Sequence, residues 1–490
     1  MASIDDIRAN RIKKLSDMRG KGIDPYPAES HADYTLAETV EKFDKLSKNK
    51  KPISLVGRVL SLRPQGAVVF FNFDDGTSKF QGFIKKGENI SDEQFDAFQE
   101  FVDIGDFIEV SGKLFTTTRG EKTIQIGEWK MLAKSLRPLP EKWHGLQDVE
   151  ERFRKRFLDL IASPEVKARF VMRSSIVSEL RKNLDKNGFI EVETPMLQEL
   201  AGGASAEPFK THHNALGADF YLRIAPELYL KKLLIGGFPK VYEIGRNFRN
   251  EGIDVTHNPE FTSLEYYESF SDSVKQRAFA EKTLKAVVKK VAGKSTITFD
   301  NQTIDFSKKF AVISYLDLLS RYALIANPES ITLEEIKLKA SQLGVKFAPG
   351  DSVEKIMDNI YKKTCRPKLI QPTFIIDYPA NYLPLAKRSK NNPKLVDAFQ
   401  LVIGGLETVK AFTELNDPID QSERFANQEK NKQMGDKEAQ PNDKDFVEAL
   451  EHGMPPAGGV GIGIDRLIML LTDTKNIREV ILFPTLRPKQ

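Results

Sequence analysis

The hydrophobic rhythm of the chain changes three times. Over residues 1–50, in IRANRIKKLSDMR and LAETVEKFDKL, charges alternate with scattered apolar positions, which predicts an N-terminal extension of short surface helices. From residue 53 to 135 the apolar positions become β-branched and aromatic: ISLVGRVLSLR, AVVFFNFDDGTSKFQGFIK, DFIEVSGKLFTTTRGEKTIQIGEWKML. Gly76, Gly105, Gly112 and Gly120 break these runs, so the segment reads as strands. Roughly five strands at this spacing predict a small barrel of the OB type over 51–135. SLRPLPEKWHG (135–145) is a proline-marked stretch, placed with its neighbours as a linker over 136–150.

Residues 151–490 read as one long α+β region. RSSIVSELRKNLDKNGFIEVETPML predicts an amphipathic helix, a stop at Gly188 and a strand closed by Pro195. KVYEIGRNFR and FTSLEYYES read as two strands around the polar NEGIDVTHNPE. Residues 275–365 look mainly helical (VKQRAFAEKTLKAVVKKV, LEEIKLKASQLG) and are read as a helical insertion. FTELNDPIDQSERFANQEKNKQM begins as a strand and continues as a polar helix, and GGVGIGIDRLIMLLTD runs from a glycine-rich strand into an apolar helix.

Composition adds little to this pattern. The formal charge of +4 and the isoelectric point near 8.7 permit a nucleic-acid partner without arguing for one. Cys365 is the single cysteine, so an intrachain disulfide and a cysteine-rich zinc site are excluded. The start, MASIDDIRANRIKKL, lacks the apolar core of a signal peptide, and no apolar run reaches the length of a membrane span; a cytoplasmic location and no membrane partner are expected.

The chemistry concentrates in four stretches. In GRNFRNEGIDVTHNPEFTSLEYYES (245–269), a period of two puts Arg249 and Glu251 on one strand face and Glu265 with Tyr267 on another. An arginine there suits a phosphate or carboxylate, and a carboxylate beside a phenol suits an ammonium. A salt-bridged surface hairpin would give the same pattern. In GGVGIGIDRL (458–467) the glycines allow close approach to the backbone, and Arg466 follows at the start of the next helix. The stretch has neither a P-loop nor GxGxxG spacing. In LETVKAFTELNDP, Glu407 and Glu414 stand in an apolar strand context; one suits a magnesium ion and the other a cationic substrate. In AGGASAEPFKTHHNALGADFYLRIAPELYLKKLL, Gly202 and Gly203 suggest a tight loop, and Glu227 sits at a helix start where capping is the plain explanation. His212 and His213 are adjacent, point to opposite faces of a strand and have no third ligand at a useful spacing, so no zinc site is expected.

Taken in order, these stretches resemble motifs 1, 2 and 3 of the class II aminoacyl-tRNA synthetases: RSSIVSELRKNLDKNGFIEVETPML, VYEIGRNFRNEGIDVTHNPEFTSLEYYES and GGVGIGIDRLIMLLTD. The leading barrel is the arrangement of the aspartate, asparagine and lysine subgroup. IAPELYLKKLLIGGFPKVYEIGRNFRNEG, FTELNDPIDQ and REVILFPTLRP are most similar to the lysyl-tRNA synthetases. The resemblance, over roughly 50–490, implies an antiparallel-sheet catalytic domain and a homodimer built on motif 1 with Pro195. It implies ATP, L-lysine and tRNA(Lys) as substrates and magnesium as cofactor. It implies that Arg249 holds the α-phosphate and the amino-acid carboxylate, and that Glu251, His257 and Asn258 form the ATP-binding loop. Phe261 would lie under adenine and Arg466 on the γ-phosphate, with Gly463, Asp465 and Glu407 also at the nucleotide. Gly203 and Glu227 would take the α-amino group, and Glu265, Tyr267 and Glu414 would surround the ε-ammonium, with Phe412 as a wall. In the barrel, Arg63, Phe70 and Gln81 fall where the family reads anticodon bases; for Phe70 a place in the barrel core is the competing reading.

Two positions depart from the family pattern. Gln400 stands where a glutamate usually joins Glu407 in holding magnesium, and Lys410 stands where an asparagine usually meets the amino-acid carboxylate. One negative charge is lost and one positive charge gained, which suggests that the two are coupled. They are also the only support for a rival reading, an RNA-binding or regulatory protein that kept the fold and lost the chemistry.

Overall fold

In a computed structural model the chain forms two compact units, Met1–Gln147 and Asp148–Gln490. The structure describes residues 3–140, 146–433 and 440–489. The expected linker at 136–150 falls partly on 141–145, outside the described residues.

In the first unit, β1 (Ile53–Gln65), β2 (Val68–Asp74), β3 (Lys79–Lys85), β4 (Phe107–Thr116) and β5 (Lys122–Ala133) close into a barrel in the order β1-β2-β3-β5-β4. The alternation in VVFFNF sends Phe71 and Phe73 inward and leaves Phe70 and Asn72 outward. Phe71 packs on Phe73 and on Phe98 of the helix Asp92–Phe101, at 5.6 and 5.3 Å between ring centroids. Burying each of these rings contributes about 1.5–3 kcal/mol.

The N-terminal helices Ile4–Gly20, Leu36–Glu41 and Phe43–Lys48 are not simply a solvated face. Met18, Leu36 and Phe43 are buried in the core of the barrel. Arg11 donates to the carbonyls of Ser135 and Ile104, at 3.1 and 2.9 Å. Scattered apolar positions without a continuous stripe can still act as single plugs, which a periodicity test does not detect.

The second unit holds β6 (Ile190–Glu191), β7 (Leu197–Gln198), β8 (Lys210–His213), β9 (Ala218–Leu222), β10 (Lys240–Phe248) and β11 (Glu260–Ser269). They are followed by β12 (Thr296–Phe299), β13 (Gln302–Asp305), β14 (Ala311–Ser314), β15 (Thr373–Pro379), β16 (Leu395–Ile403), β17 (Leu406–Thr413) and β18 (Ala457–Gly463). Eight of these make one sheet in the order β14-β15-β16-β17-β18-β11-β10-β6. Its centre is antiparallel, and only the outer pairs β14–β15 and β10–β6 are parallel. The chain is thus α+β, and its sheet is not doubly wound.

The helix Pro164–Lys186 starts on its proline and ends before Gly188, whose φ of +80° reverses the chain into β6. The stretch 275–365 is not helical throughout. Between its helices it carries the hairpin β12–β13, turned by Asp300 and Asn301 at φ 49° and 59°, and β14, which extends the main sheet. The signal was the Asp-Asn pair between TITF and QTID, a turn pair that favours positive φ at both positions.

One face of the central strands is core. Leu264 and Tyr266 of β11, Val460 and Ile462 of β18, and Val409 and Ala411 of β17 pack with Leu467 and Leu470 of the helix Ile464–Leu471. The opposite face is left for the cleft.

Candidate active site

The floor of the cleft is β18 with its alternate residues missing a side chain. Register places Gly459 between Tyr267 of β11 and Phe412 of β17, and Gly461 between Glu265 and Lys410. Ser263 is paired with Gly463 at the end of the row. The flanking strands therefore raise walls on both sides of a bare strip, and the resulting cavity holds about 300 Å³. Gly459 has no room for a methyl group: a Cβ there would lie 2.0 Å from Glu414 Oε1 and 2.3 Å from the Tyr267 ring. Gly203, with φ +87°, closes the cleft against Glu227, whose Cβ would be 3.0 Å from a side chain at 203.

One end of the cleft is cationic. Arg249 lies just beyond the end of β10, not within it, so strand alternation does not set its direction. Its N–H donates to the Pro259 carbonyl at 2.8 Å, which carries the ladder one step further. The guanidinium stacks over the Phe261 ring, 5.0 Å from its centroid, and the buried Nε has no partner among the described residues. Burial lowers its pKa, against the attraction of Glu251 and Glu265; guanidinium remains charged regardless. Glu251 lies in the exposed loop after β10, also on the cleft.

Arg466, on the helix that follows β18, donates to the Glu407 carbonyl at 3.0 Å and stands 3.2 Å from His257 Nε2. A guanidinium can only donate, so Nε2 accepts and His257 carries its proton on Nδ1, which faces Asp254 Oδ2 at 2.9 Å. Asn258 is buried and donates to the Glu260 carbonyl at 2.6 Å, leaving its Oδ1 unpartnered. Asp465 also borders the cleft, but its carboxylate is committed to the scaffold: Oδ1 meets Arg173 at 2.5 Å and Oδ2 accepts the Thr262 N–H at 2.7 Å.

The other end is acidic. Glu265 accepts from the Tyr267 hydroxyl at 3.2 Å. Its carboxyl is pushed up to about 8, first by burial and then by Glu227, while Tyr267, Arg249 and Arg223 oppose the rise. The side chain is part-exposed to the cleft, where water tempers this shift. Glu227 does not cap its helix. Its Oε1 is 2.6 Å from Lys231 Nζ, one turn along the helix Glu227–Ile235. Glu414 is fully buried on the same side of β18 as the cleft, with Oε2 2.5 Å from the same Lys231 and Oε1 against Gly459. Lys231 is fully buried and the sequence reading missed it; its signal was a Glu-x-x-x-Lys pair with the lysine on the apolar face of ELYLKKLLI.

Gln400 and Lys410 are direct cross-strand partners on β16 and β17. The Gln400 amide oxygen already accepts from the Tyr378 hydroxyl at 2.8 Å. Lys410 is surrounded by protein but open to the cleft, and it forms no ion pair among the described residues. Burial lowers its pKa, while Glu407 and Glu227 raise it. The expected Glu407–Gln400 pair therefore does not fit a divalent ion held by side chains. It offers one charged carboxylate, one neutral oxygen in use, and an ammonium as neighbour. No group of three His, Cys, Asp or Glu suited to a metal occurs among the described residues.

Other expected residues lie elsewhere. His212 and His213 are exposed on β8, with His212 2.8 Å from Asp219. In the barrel, Arg63 is exposed and directly opposite Phe70, which is half-buried and stacks outward on Phe83 at 4.9 Å, so Phe70 is not a core residue. Gln81 is opposite Asn72 and donates to the Thr123 hydroxyl at 3.2 Å.

Comparison with known proteins gives the family of the chain that carries this cleft. The family model described as tRNA synthetases class II (D, K and N) matches residues 148–487. The model described as OB-fold nucleic acid binding domain matches residues 53–132. The chain belongs to the class II tRNA synthetases of the D, K and N group. Its relatives are named more narrowly. The lysine–tRNA ligase of Moorella thermoacetica (strain ATCC 39073 / JCM 9320) is 45% identical over 486 residues, 99% of each chain. That of Pelotomaculum thermopropionicum (strain DSM 13744 / JCM 10971 / SI) is 45% identical over 489 residues, 99% of this chain and 96% of its own. That of Aquifex aeolicus (strain VF5) is 48% identical over 451 residues, 92% of this chain and 75% of its own.

The raised carboxyl gives a stability signature. Glu265 titrates near 4.5 when unfolded and about 8 when folded. Between these values the folded chain holds the extra proton, so the contribution of Glu265 to stability is fullest below about pH 4.5 and is lost as pH rises through about 8. Glu265→Gln is expected to reduce that fall, read as the thermal unfolding midpoint across this window. A pH dependence equal to that of the wild type would refute the assignment.

Proposed function

We propose that this chain is a lysine–tRNA ligase that activates L-lysine with ATP and transfers it to tRNA(Lys). The observation that carries the reading is the separation of charge along one cleft. Arg249 and Arg466 stand at one end, Glu227 and Glu265 border the other with Glu414 buried against Lys231, and Lys410 lies between, across Gly461 from Glu265. Lysine is a thin chain with an anion at one end and an ammonium at the other. Burying that ammonium without a carboxylate costs several kcal/mol or more. A neutral isostere would leave the acids unpaired, so the same groups give selectivity.

In the first step the lysine carboxylate oxygen attacks the α-phosphorus of ATP, forming the acyl–phosphate bond as the bond to pyrophosphate breaks. Arg249 binds both reacting groups, and Arg466, aligned by His257, takes the distal phosphates. Phe261 supports the adenine, beside Glu251, Asn258, Gly463, Asp465 and Glu407. In the second step the 3′-hydroxyl of the terminal adenosine of the tRNA attacks the lysyl carbonyl and AMP leaves. Catalysis is positioning and charge neutralisation, without a protein nucleophile. Lysine's α-amino group lies against Gly203 and Glu227, its ε-ammonium meets Glu265, Tyr267 and the free edge of Glu414, and Phe412 lines the side. Lys410 faces the carboxylate or a phosphate. Glu407 is the one carboxylate of the expected pair and would be the side chain to touch a magnesium ion brought with ATP, whose charge would help neutralise the phosphates.

The barrel is read as the anticodon-binding domain, with Arg63, Phe70 and Gln81 outward on one sheet face. Phe157, Val171, Met196 and Leu197 are 46–60% exposed, which supports a homodimer through this apolar surface. No helix among the described residues is long and apolar enough to cross a membrane, and the reading places the enzyme in the cytoplasm.

ATP–pyrophosphate exchange with each amino acid in turn tests the reading. Exchange with lysine alone is expected, and Arg249→Ala is expected to lower it by about 10²-fold or more. Exchange with no amino acid from folded protein would favour the regulatory alternative. Phe70→Ala is expected to weaken tRNA(Lys) binding by about 1–3 kcal/mol in a filter-binding titration; unchanged affinity would remove Phe70 from the interface. Sedimentation equilibrium is expected to return twice the chain mass of 55.4 kDa, and a single chain mass would refute the dimer.

A further inference from the structure

Beneath the acidic end of the cleft lies a cation of the protein's own. Lys231 is fully buried, with Nζ 2.6 Å from Glu227 and 2.5 Å from Glu414. Its ammonium also lies over two rings, 5.4 Å from the centroid of Phe412 and 5.8 Å from that of Phe446. Phe446 comes from the helix Lys444–Glu451. From the sheet, Glu265 and Tyr267 face the cluster on β11, and Lys410 faces Glu227 from β17. Arg249 and Arg223 act on Glu265 from the far side.

Two carboxylates thus share one internal ammonium. Glu414 gives one oxygen to Lys231 and lays the other, unpaired among the described residues, over Gly459 beside the Tyr267 ring. Glu227 gives Oε1 to Lys231 and still borders the cavity. We propose that Lys231 is a positioning residue for substrate selection: it aims Glu227 and Glu414 and cancels one of their charges, so the incoming amine meets a fixed geometry and a limited negative charge. The proposal rests on the reading of lysine as the substrate. In accord with it, Glu414 is pushed up to about 8 by burial first, with Lys231 pulling it down.

Without the internal cation, the acids hold their protons to higher pH. Lysine binding then starts only at a higher pH and is weaker at neutrality. The test is the KM for lysine and for ATP in pyrophosphate exchange, across pH, for wild type, Lys231→Met, Lys231→Arg and the charge-balanced double variant Lys231→Met/Glu414→Gln. Lys231→Met is expected to raise the KM for lysine about tenfold or more and move the acid limb of its pH profile up by about one unit, with the KM for ATP little changed. Lys231→Arg keeps the charge and is expected to leave the limb in place. The double variant restores the balance and is expected to return the limb to its wild-type position while the KM for lysine stays high. A purely structural lysine would lower the amount of active enzyme and move neither the limb nor the ratio of the two KM values; that outcome overturns the proposal. Should Lys231→Met fail to fold, Lys231→Gln is read in its place: an unmoved limb with an unchanged ratio of the two KM values overturns the proposal, and a raised limb with a raised KM for lysine supports it. Absence of lysine-dependent exchange in the wild type would refute the substrate reading itself, separately from the role of Lys231.

Discussion

Side chains alternate across a strand, so a strand whose every second residue is glycine has one bare face. β18 is such a strand, and the catalytic unit is arranged around it. Val460 and Ile462 anchor one face in the core, while Gly459, Gly461 and Gly463 leave a strip of backbone on the other. Tyr267 and Phe412 can then face each other across a glycine, as can Glu265 and Lys410. A methyl group at 459 would collide with both Tyr267 and Glu414, so the floor of the pocket depends on this absence.

Charge follows from that geometry. A narrow cleft flanked by protein concentrates electrostatic effects, and the groups lining it divide by sign along its length. Arg249 and Arg466 occupy one end, Glu227 and Glu265 the other, and Lys410 lies between them, across Gly461 from Glu265. Neither end is left entirely to the ligand. Arg466 is held by the Glu407 carbonyl and by His257, and the acids are tied by Lys231. Gln400 and Lys410 are opposite each other on neighbouring strands, so a neutral amide and an ammonium stand side by side there.

Much of this was legible in the chain. The barrel strands, the helix before Gly188, the two strands around the loop at 249–259 and the glycine strand running into an apolar helix all follow from local periodicity and turn chemistry. The alternation in VVFFNF left open which pair of aromatics pointed inward, and only the structure turns Phe70 outward. The hairpin β12–β13 was missed because strong helical patterns on both sides outweighed a short turn signal. The N-terminal helices looked solvated because their few buried residues act singly.

The sequence by itself determined the order of motifs and the family, because these depend on residue types at fixed spacing within short segments. It also determined which residues carry charge in apolar surroundings, among them Arg249, Glu265 and Glu414. Only the tertiary structure decided which of those charges face a ligand. Asp465 is spent on Arg173 and the Thr262 amide, Glu414 is half spent on Lys231, and Arg249 keeps a free Nε. Partners of this kind come from strands and helices far apart in the chain, and their distances are set by register and packing, which no local pattern encodes.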